Sequence, residues 1–261
     1  TSRLVGSEMC IRDSTKYFMF VLKLYVNFKS MEKIAIASGK GGVGKTSITL
    51  IIANHLSNQG FKVGLLDADI YGPNLTQIIL PDNSKYSITH DEKLNKFIPL
   101  AIGNMLINSI DFVVDKQKAA IWRGPVLSKA IKQLYQGTNW GDLDYLLIDM
   151  PPGTGDAYLT ILNDLDINDV VLVAVEDDFC IADLHKTNSL IKKFKKNCLG
   201  IIENMSENFE INDDPVLSKR IKDEFNLEIL FTLPRIPRKD FYEELVNLDK
   251  LKKYIPKNMF K

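Results

Sequence analysis

A glycine-rich loop between a short apolar run and a helical pattern constrains the fold of this chain more than any other feature. Residues 39–46 read Gly-Lys-Gly-Gly-Val-Gly-Lys-Thr, which fits the phosphate-binding pattern of a glycine, four residues and then Gly-Lys-Thr. Residues 33–38 predict a buried strand before the loop, and residues 47–57 predict a helix that Gly60 ends. This order predicts a site where backbone N–H groups and a helix N-terminus surround a phosphate group.

The side chains of this loop add chemistry to its backbone. Lys45 is predicted to neutralise the β- and γ-phosphates of a nucleotide, and the hydroxyl of Thr46 to hold Mg²⁺. Lys40 follows the first glycine, where a cation either neutralises charge that develops during phosphoryl transfer or is simply solvated, and the motif alone leaves both open. The residues predicted to contact the nucleotide are Gly39, Lys40, Gly41, Gly42, Val43, Gly44, Lys45, Thr46 and Ser47.

Beyond the loop, apolar runs alternate with helical patterns. This alternation predicts an α/β fold with a mostly parallel sheet covered by helices on both faces, as in P-loop NTPases. Because no linker divides the pattern, residues 31–261 are predicted to form a single domain. Further strands are predicted at 62–67, 145–149, 170–175, 199–203 and 227–233, and further helices at 125–135, 181–194, 216–225 and 241–254.

Carboxylates follow two of these strands. Asp67 and Asp69 come at the end of the second strand and Asp149 at the end of the third. Ligands of an open α/β sheet lie beyond the carboxyl ends of its strands, so these acids are expected to meet beside the phosphate loop. Single acids at strand ends commonly cap helices or turns, but this grouping favours function. The sequence predicts Thr46, Asp67 and Asp149 as metal-side residues and Lys40, Lys45 and Asp69 as catalytic residues.

Charge and cysteine content exclude several classes of protein. Lys plus Arg and Asp plus Glu are both 33, so no basic excess predicts a nucleic-acid partner. The cysteines Cys10, Cys180 and Cys198 form no close pair, which suggests a reducing, cytoplasmic location. Cys180 is expected in a loop at the carboxyl edge of the sheet and Cys198 at the opposite edge. A five-residue strand spans about 17 Å, so the two thiols are not expected to share a metal cluster.

Both ends of the chain lie outside the predicted core. Residues 1–14 have no periodicity and resemble translated adapter or vector sequence. Residues 17–28 are apolar but too short to span a bilayer; a signal peptide is the alternative to upstream sequence before a natural start at Met31. Residues 1–30 are therefore expected to be a non-native or disordered extension. Residues 248–261 carry five lysines but include Pro256, which favours a solvated tail over a membrane-binding helix.

Longer segments then give a family resemblance. Residues 65–74 read LLDADIYGPN, residues 121–125 read IWRGP, residues 144–156 read DYLLIDMPPGTGD and residues 200–206 read GIIENMS. Together with the loop, these segments resemble the Mrp/ApbC-type iron–sulfur cluster carrier ATPases over residues 31–240. That family belongs to the superfamily with a deviant phosphate loop, which includes Min-type ATPases and the nitrogenase iron protein.

The resemblance implies roles that the residues alone do not. It implies an ATP- and Mg²⁺-dependent ATPase that forms a homodimer, with Lys40 reaching across the dimer to the nucleotide of the partner. Asp69 would act in a first switch and residues 153–156 in a second. Asn204 would contact adenine, and the chain near Pro234 would close over the base.

One departure from the family pattern decides which functions are open. Members carry a CxxC motif after the Glu-Asn-Met-Ser segment, whereas residues 206–215 hold no cysteine. A homodimer is therefore not expected to bridge an iron–sulfur cluster. A cluster-assembly factor remains open, acting through the cysteines of an iron–sulfur client or scaffold or in a mixed dimer with a cysteine-bearing paralogue. A Min/Par-type positioning ATPase and a non-catalytic nucleotide-binding scaffold are the alternatives; the intact Lys45, Thr46, Asp69 and Asp149 argue against the scaffold.

Overall fold

Strands and helices alternate through the part of the chain that the computed structural model describes, residues 31–70, 72–80, 88–113, 122, 124–206 and 216–236. The strands are β1 (Glu32–Ala37), β2 (Val63–Asp67), β3 (Thr89–Asp91), β4 (Lys96–Ile98), β5 (Leu100–Ile102), β6 (Met105–Ser109), β7 (Tyr145–Asp149), β8 (Asp169–Ala174), β9 (Asn197–Ser206) and β10 (Ile229–Pro234). The helices are α1 (Lys45–Asn58), α2 (Leu75–Ile79), α3 (Gly124–Gly137), α4 (Asp156–Asp164), α5 (Asp178–Lys193) and α6 (Val216–Phe225), and a 3₁₀ turn covers Ile110–Phe112.

One large sheet organises these elements. Its eight strands lie in the order β10-β9-β8-β1-β7-β2-β6-β5, and β3 pairs with β4 in a separate hairpin. All neighbours in the large sheet are parallel except β5 and β6. Because β1 leads to β2 on one side and β8 leads to β9 on the other, the crossovers diverge at β1. The loop after β1 therefore lies at a topological switch point, where open sheets bind their ligands.

Burial explains why the central strands form. Every residue of β2 and β7 is buried, as are four of the six in β1 and five of the six in β8. Such continuous apolar runs are typical of parallel strands covered on both faces. Right-handed crossovers in opposite directions place α1 and α5 on opposite faces of the sheet. The mostly parallel α/β fold that the sequence predicted is confirmed.

Several predicted boundaries move in the structure. The helix predicted from residue 181 begins at Asp178, so Cys180 lies in the first turn of α5 and its predicted place in a loop is wrong. The strand predicted at 199–203 extends to Asn197–Ser206. The helix predicted at 241–254, the extension at 1–30 and almost all of 206–215 fall outside the described residues. The single domain at 31–261 stays a prediction. Among the described helices, none is long and apolar enough to cross a membrane.

Candidate nucleotide-binding site

The loop between β1 and α1 adopts a backbone that its glycines make possible. Gly42 has a φ of 81° and Gly44 a φ of 90°, in the left-handed region that favours glycine. A Cβ on Gly39 would lie 2.5 Å from the backbone carbonyl carbon of Asp183 in α5. A Cβ on Gly44 would collide with the side-chain amide nitrogen of Asn204. The loop is therefore closely packed between α5 and the end of β9.

The two lysines of the loop lie in different environments. Lys45 is buried at the start of α1, whereas the side chain of Lys40 is 45% exposed. The Nζ atom of Lys40 lies 3.4 Å from Oδ1 of Asp177. Asp177 also caps α5, since its Oδ1 accepts a hydrogen bond from the N–H of Cys180 at 2.8 Å. That N–H, and after it Lys40, hold the pKa of Asp177 below its ordinary value. Lys40 is thus paired within its own chain.

The predicted carboxylates meet beside the loop. Asp67 and Asp149 occupy paired positions at the ends of the neighbouring strands β2 and β7. The hydroxyl of Thr46 donates to Oδ2 of Asp149 at 2.5 Å, and Oδ1 of Asp149 is buried without a hydrogen-bond partner. Asp67 accepts hydrogen bonds from the hydroxyl of Ser109 at 2.9 Å and from the N–H of Asp69 at 3.1 Å. The structure therefore brings together the acids that the sequence placed at separate strand ends.

Burial disfavours the ionised forms of Asp149 and Asp67. Burial raises the pKa of Asp149 to about 7, while the Thr46 hydrogen bond and the charge of Lys45 act in the opposite direction. Burial, and after it the charge of Asp149, raise the pKa of Asp67 well above its ordinary value. A cation bound here would stabilise the ionised form of both carboxyls.

The same atoms fit Mg²⁺. Thr46, Asp149 and Asp67 offer hard oxygen ligands, and the unpartnered Oδ1 of Asp149 is available for a cation or its water. Within the described ranges, no three His, Cys, Asp or Glu side chains form a metal cage of their own. Mg²⁺ keeps several waters and is usually held by one or two carboxylates together with substrate phosphates, so this sparse donor set suits it.

A cleft of about 480 Å³ opens beside the loop, toward the ends of β8, β9 and β10. Its volume is in the range of small-molecule sites. Lys40 and Val43 line it from the loop, as do Gly41 and Gly42. Asn204 is buried next to it, and its Nδ2 donates to the carbonyl oxygen of Val43 at 2.8 Å. Pro234 ends β10 at the same sheet edge.

Sequence reasoning missed part of this cleft. Glu176, Asp177, Met205 and Arg235 line it but were not predicted as site residues. Met205 directly follows Asn204, and Arg235 directly follows Pro234, so a wider window around those two residues was the available signal. Asp177 had a different signal, because an aspartate ahead of a helical pattern is a typical N-cap.

The two described cysteines lie at opposite edges of the sheet, as predicted. Cys180 is buried in the first turn of α5, just beyond the carboxyl end of β8. Cys198 pairs with Val170 near the amino end of β8 and is partly buried. Burial raises the pKa of both thiols, that of Cys198 to about 11. Both are protonated near neutral pH, and neither can join the other at one cluster.

Comparison with known protein families and curated proteins gives consistent matches. A family model described as ParA, NUBPL iron-transfer P-loop NTPase, matches residues 29–223. The chain belongs to this family. It is 40% identical over 205 residues to an iron-sulfur cluster carrier protein of Rickettsia bellii, covering 78% of this chain and 62% of that protein. It is 36% identical over 208 residues to the carrier of Escherichia coli K12, covering 77% of this chain and 56% of that protein. The chain thus spans about three fifths of the length of these curated relatives.

Solved structures agree on the fold of the family. The nucleotide-binding protein of Archaeoglobus fulgidus in complex with ADP has a TM-score of 0.66 and 29% identity, covering 87% of this chain and 90% of that one. The septum site-determining protein MinD of Pyrococcus horikoshii, complexed with Mg-ADP, has a TM-score of 0.64 and 23% identity, covering 88% and 93%. The second likeness establishes the fold alone. The family resemblance inferred from the sequence is confirmed.

Proposed function

We propose that this protein is a Mg²⁺-dependent ATPase whose nucleotide cycle serves the handling of iron–sulfur clusters. The observation that carries the proposal is the hydrogen bond between Thr46 and Asp149, beside the in-register Asp67. A glycine-rich loop alone binds phosphate. The coupling of its threonine to a buried carboxylate whose second oxygen has no partner adds the place for a metal ion.

Each residue of the site has a distinct task in this proposal. The loop N–H groups and the start of α1 bind the phosphate oxygens, and the buried Lys45 neutralises them. A bound Mg²⁺ would supply positive charge against the negative charge that develops on the phosphates during transfer. Thr46 and Asp149 would hold it, with Asp67 close behind. Asp69 would orient the attacking water, and its Oδ1 is fixed by the N–H of Gly72 at 3.1 Å.

The proposed active form is a dimer that two nucleotides join. Lys40 would leave Asp177 and approach the phosphates bound to the partner, where its charge would add to that of Lys45. The pairing of Lys40 with Asp177 supports this step, because an exposed ion pair whose atoms are 3.4 Å apart is weak. Lys40 can therefore readily exchange Asp177 for a phosphate. The partner is a second copy of the chain or a cysteine-bearing paralogue.

An iron–sulfur cluster is cargo in this proposal and needs ligands from elsewhere. Clusters are commonly held by four thiolates, and residues 206–215 supply no cysteine. Cys180 and Cys198 are separated by the length of β8. A client or scaffold protein, or a paralogue in a mixed dimer, would therefore provide the thiolates. Asn204 and Pro234 would lie near the base of the bound nucleotide.

Two threonines of α1 allow the role of the Thr46–Asp149 hydrogen bond to be tested. Thr46 donates to Asp149, whereas Thr49 donates to the backbone oxygen of Lys45 one turn later. We expect Thr46→Ala to lower Mg²⁺-dependent ATP hydrolysis about ten- to hundredfold, the cost of a hydrogen bond to a charged group. Thr49→Ala removes a similar hydroxyl outside the site and should keep most of the activity. Equal activity of Thr46→Ala and the parent, or no hydrolysis by the parent, would overturn the proposal.

A further inference from the structure

We propose that Asn204 is a positioning residue that braces the phosphate loop. Its Nδ2 donates to the carbonyl oxygen of Val43 at 2.8 Å, across 161 positions of the sequence. Asn204 is only 4% exposed, so water competes little for this hydrogen bond. The proposal rests on the nucleotide site of the proposed function and assigns a task to a residue beside it.

The brace acts on the most adaptable part of the loop. Val43 lies between Gly42 and Gly44, both with left-handed backbones. Glycine restricts its backbone little, so neighbouring peptide groups can turn unless something holds them. The C=O and N–H of one peptide unit point in opposite directions. By fixing the oxygen of Val43, Asn204 also fixes the direction of the N–H of Gly44, and it keeps that oxygen from turning toward phosphate oxygens that it would repel.

Packing shows that the contact is built into the fold. A side chain on Gly44 would collide with Nδ2 of Asn204, so the amide occupies the space that the missing Cβ leaves. The next residue, Met205, has a φ of 56°, which is uncommon for a residue other than glycine. Its side chain lines the cleft. The positive φ of Met205 coincides with an irregularity in the pairing of β9 with β10, between Thr232 and Pro234, so the end of β9 is locally distorted beside the loop.

This role makes a different prediction from direct reading of the base. A residue that reads adenine contributes to the difference between ATP and ITP, whose base carries a 6-oxo group in place of the 6-amino group. A brace contributes equally to every ligand with a triphosphate, including inorganic tripolyphosphate, which has no base. One N–H of the Asn204 side-chain amide donates to Val43, and the brace needs neither its second N–H nor its Oδ1.

The test compares Asn204→Ala with Asn108→Ala. Asn108 is also buried and also donates one side-chain hydrogen bond, to Thr138 at 2.6 Å, but it lies in β6 away from the loop. Asn204→Ser is a milder second variant should Asn204→Ala not fold. Binding of ATP, ITP and tripolyphosphate is measured by calorimetry, and hydrogen exchange of residues 41–46 is measured without nucleotide.

We expect Asn204→Ala to weaken all three ligands by a similar factor of about three to ten, the effect of one hydrogen bond, and to leave the ratio of ATP to ITP affinity unchanged. Exchange of residues 41–46 should be faster than in Asn108→Ala. Loss of ATP affinity alone, with tripolyphosphate unaffected, would overturn the brace, as would equal exchange in the two variants. If the parent binds no nucleotide, the proposed function fails, while the exchange experiment still decides the role of Asn204.

Discussion

On the side of the phosphate loop toward β2 and β7, the site is made of buried carboxyls that accept hydrogen bonds from neighbouring residues. Asp67 and Asp149 are at most 1% exposed there. On the side toward β8 and β10, the cleft is lined by partly exposed groups, with Lys40 paired to Asp177. The first side is fixed by hydrogen bonds between buried groups. On the second side, an exposed ion pair holds Lys40 weakly, as the proposed dimer requires.

The largest effects are expected on the buried side. Lys45→Ala removes the charge that faces the phosphates, so ATP binding should weaken by about two orders of magnitude. Asp69→Asn should leave binding largely intact and lower kcat about a hundredfold, because it alters only water orientation or the charge near the metal. Calorimetry and steady-state hydrolysis separate the two effects.

A control for these variants lies far from the site. Asp166 makes an ion pair with Lys33, and its side chain is 86% exposed. Asp166→Asn changes the net charge as Asp69→Asn does but should not affect turnover. Parent-like hydrolysis by both Lys45→Ala and Asp69→Asn would show that the site has been assigned to the wrong residues.

A smaller effect is expected on the exposed side. Lys40→Ala should weaken dimerisation in the presence of a non-hydrolysable ATP analogue by at least about tenfold, with nucleotide affinity of the monomer nearly unchanged. Asp177→Asn should strengthen dimerisation about twofold to fivefold, because it releases Lys40 from an exposed ion pair. Asparagine caps helices as well as aspartate does, so α5 should keep its start.

Light scattering over a range of protein concentrations measures both variants. If the parent stays monomeric with analogue bound at high concentration, no dimer forms through this face. If Asp177→Asn weakens dimerisation as Lys40→Ala does, Asp177 contributes to the dimer contact itself and does not restrain Lys40 in the monomer.

The smallest expected effect concerns iron. After anaerobic reconstitution, the homodimer should contain no stable [4Fe–4S] cluster, and Cys180→Ser should match the parent in iron, sulfide and visible absorbance. The reason is that Cys180 is buried and Cys198 lies at the opposite sheet edge. Near-stoichiometric iron and sulfide that Cys180→Ser abolishes would show instead that two Cys180 thiols meet across a dimer. ATP hydrolysis by the same sample serves as the control for folding.

The buried side of the site could be predicted from sequence because it follows from strand order. Parallel strands end at one edge, so Asp67 and Asp149 had to approach the loop once residues 62–67 and 145–149 were identified as strands. The brace from Asn204 could not be predicted. It depends on how closely the end of β9 approaches Val43, and no periodic pattern encodes a distance between segments 161 residues apart.

The start of α5 shows the same difference between what a sequence pattern predicts and what a single contact decides. The apolar pattern of α5 becomes visible at Ile181, but the helix begins at Asp178 because Asp177 caps it. That shift of three residues moves Cys180 from a loop into the first turn of a helix, where Cys180 itself is buried. Capping is decided by one hydrogen bond, whereas periodicity needs several residues to become evident.

The tight contact between Gly39 and the backbone of Asp183 couples the position of the phosphate loop to that of α5. The helix has 16 residues and is therefore about 24 Å long, from the nucleotide edge of the sheet to the opposite edge. Because the contact leaves no space for a Cβ, the loop cannot shift toward α5 without tilting it. Asp183 lies ten residues, or about 15 Å, before Lys193, so a tilt of about 4° around this contact displaces that end of the helix by about 1 Å. If binding or release of a phosphate group shifts the loop, the end of α5 near Lys193 would also move, at the edge of the sheet opposite the phosphates.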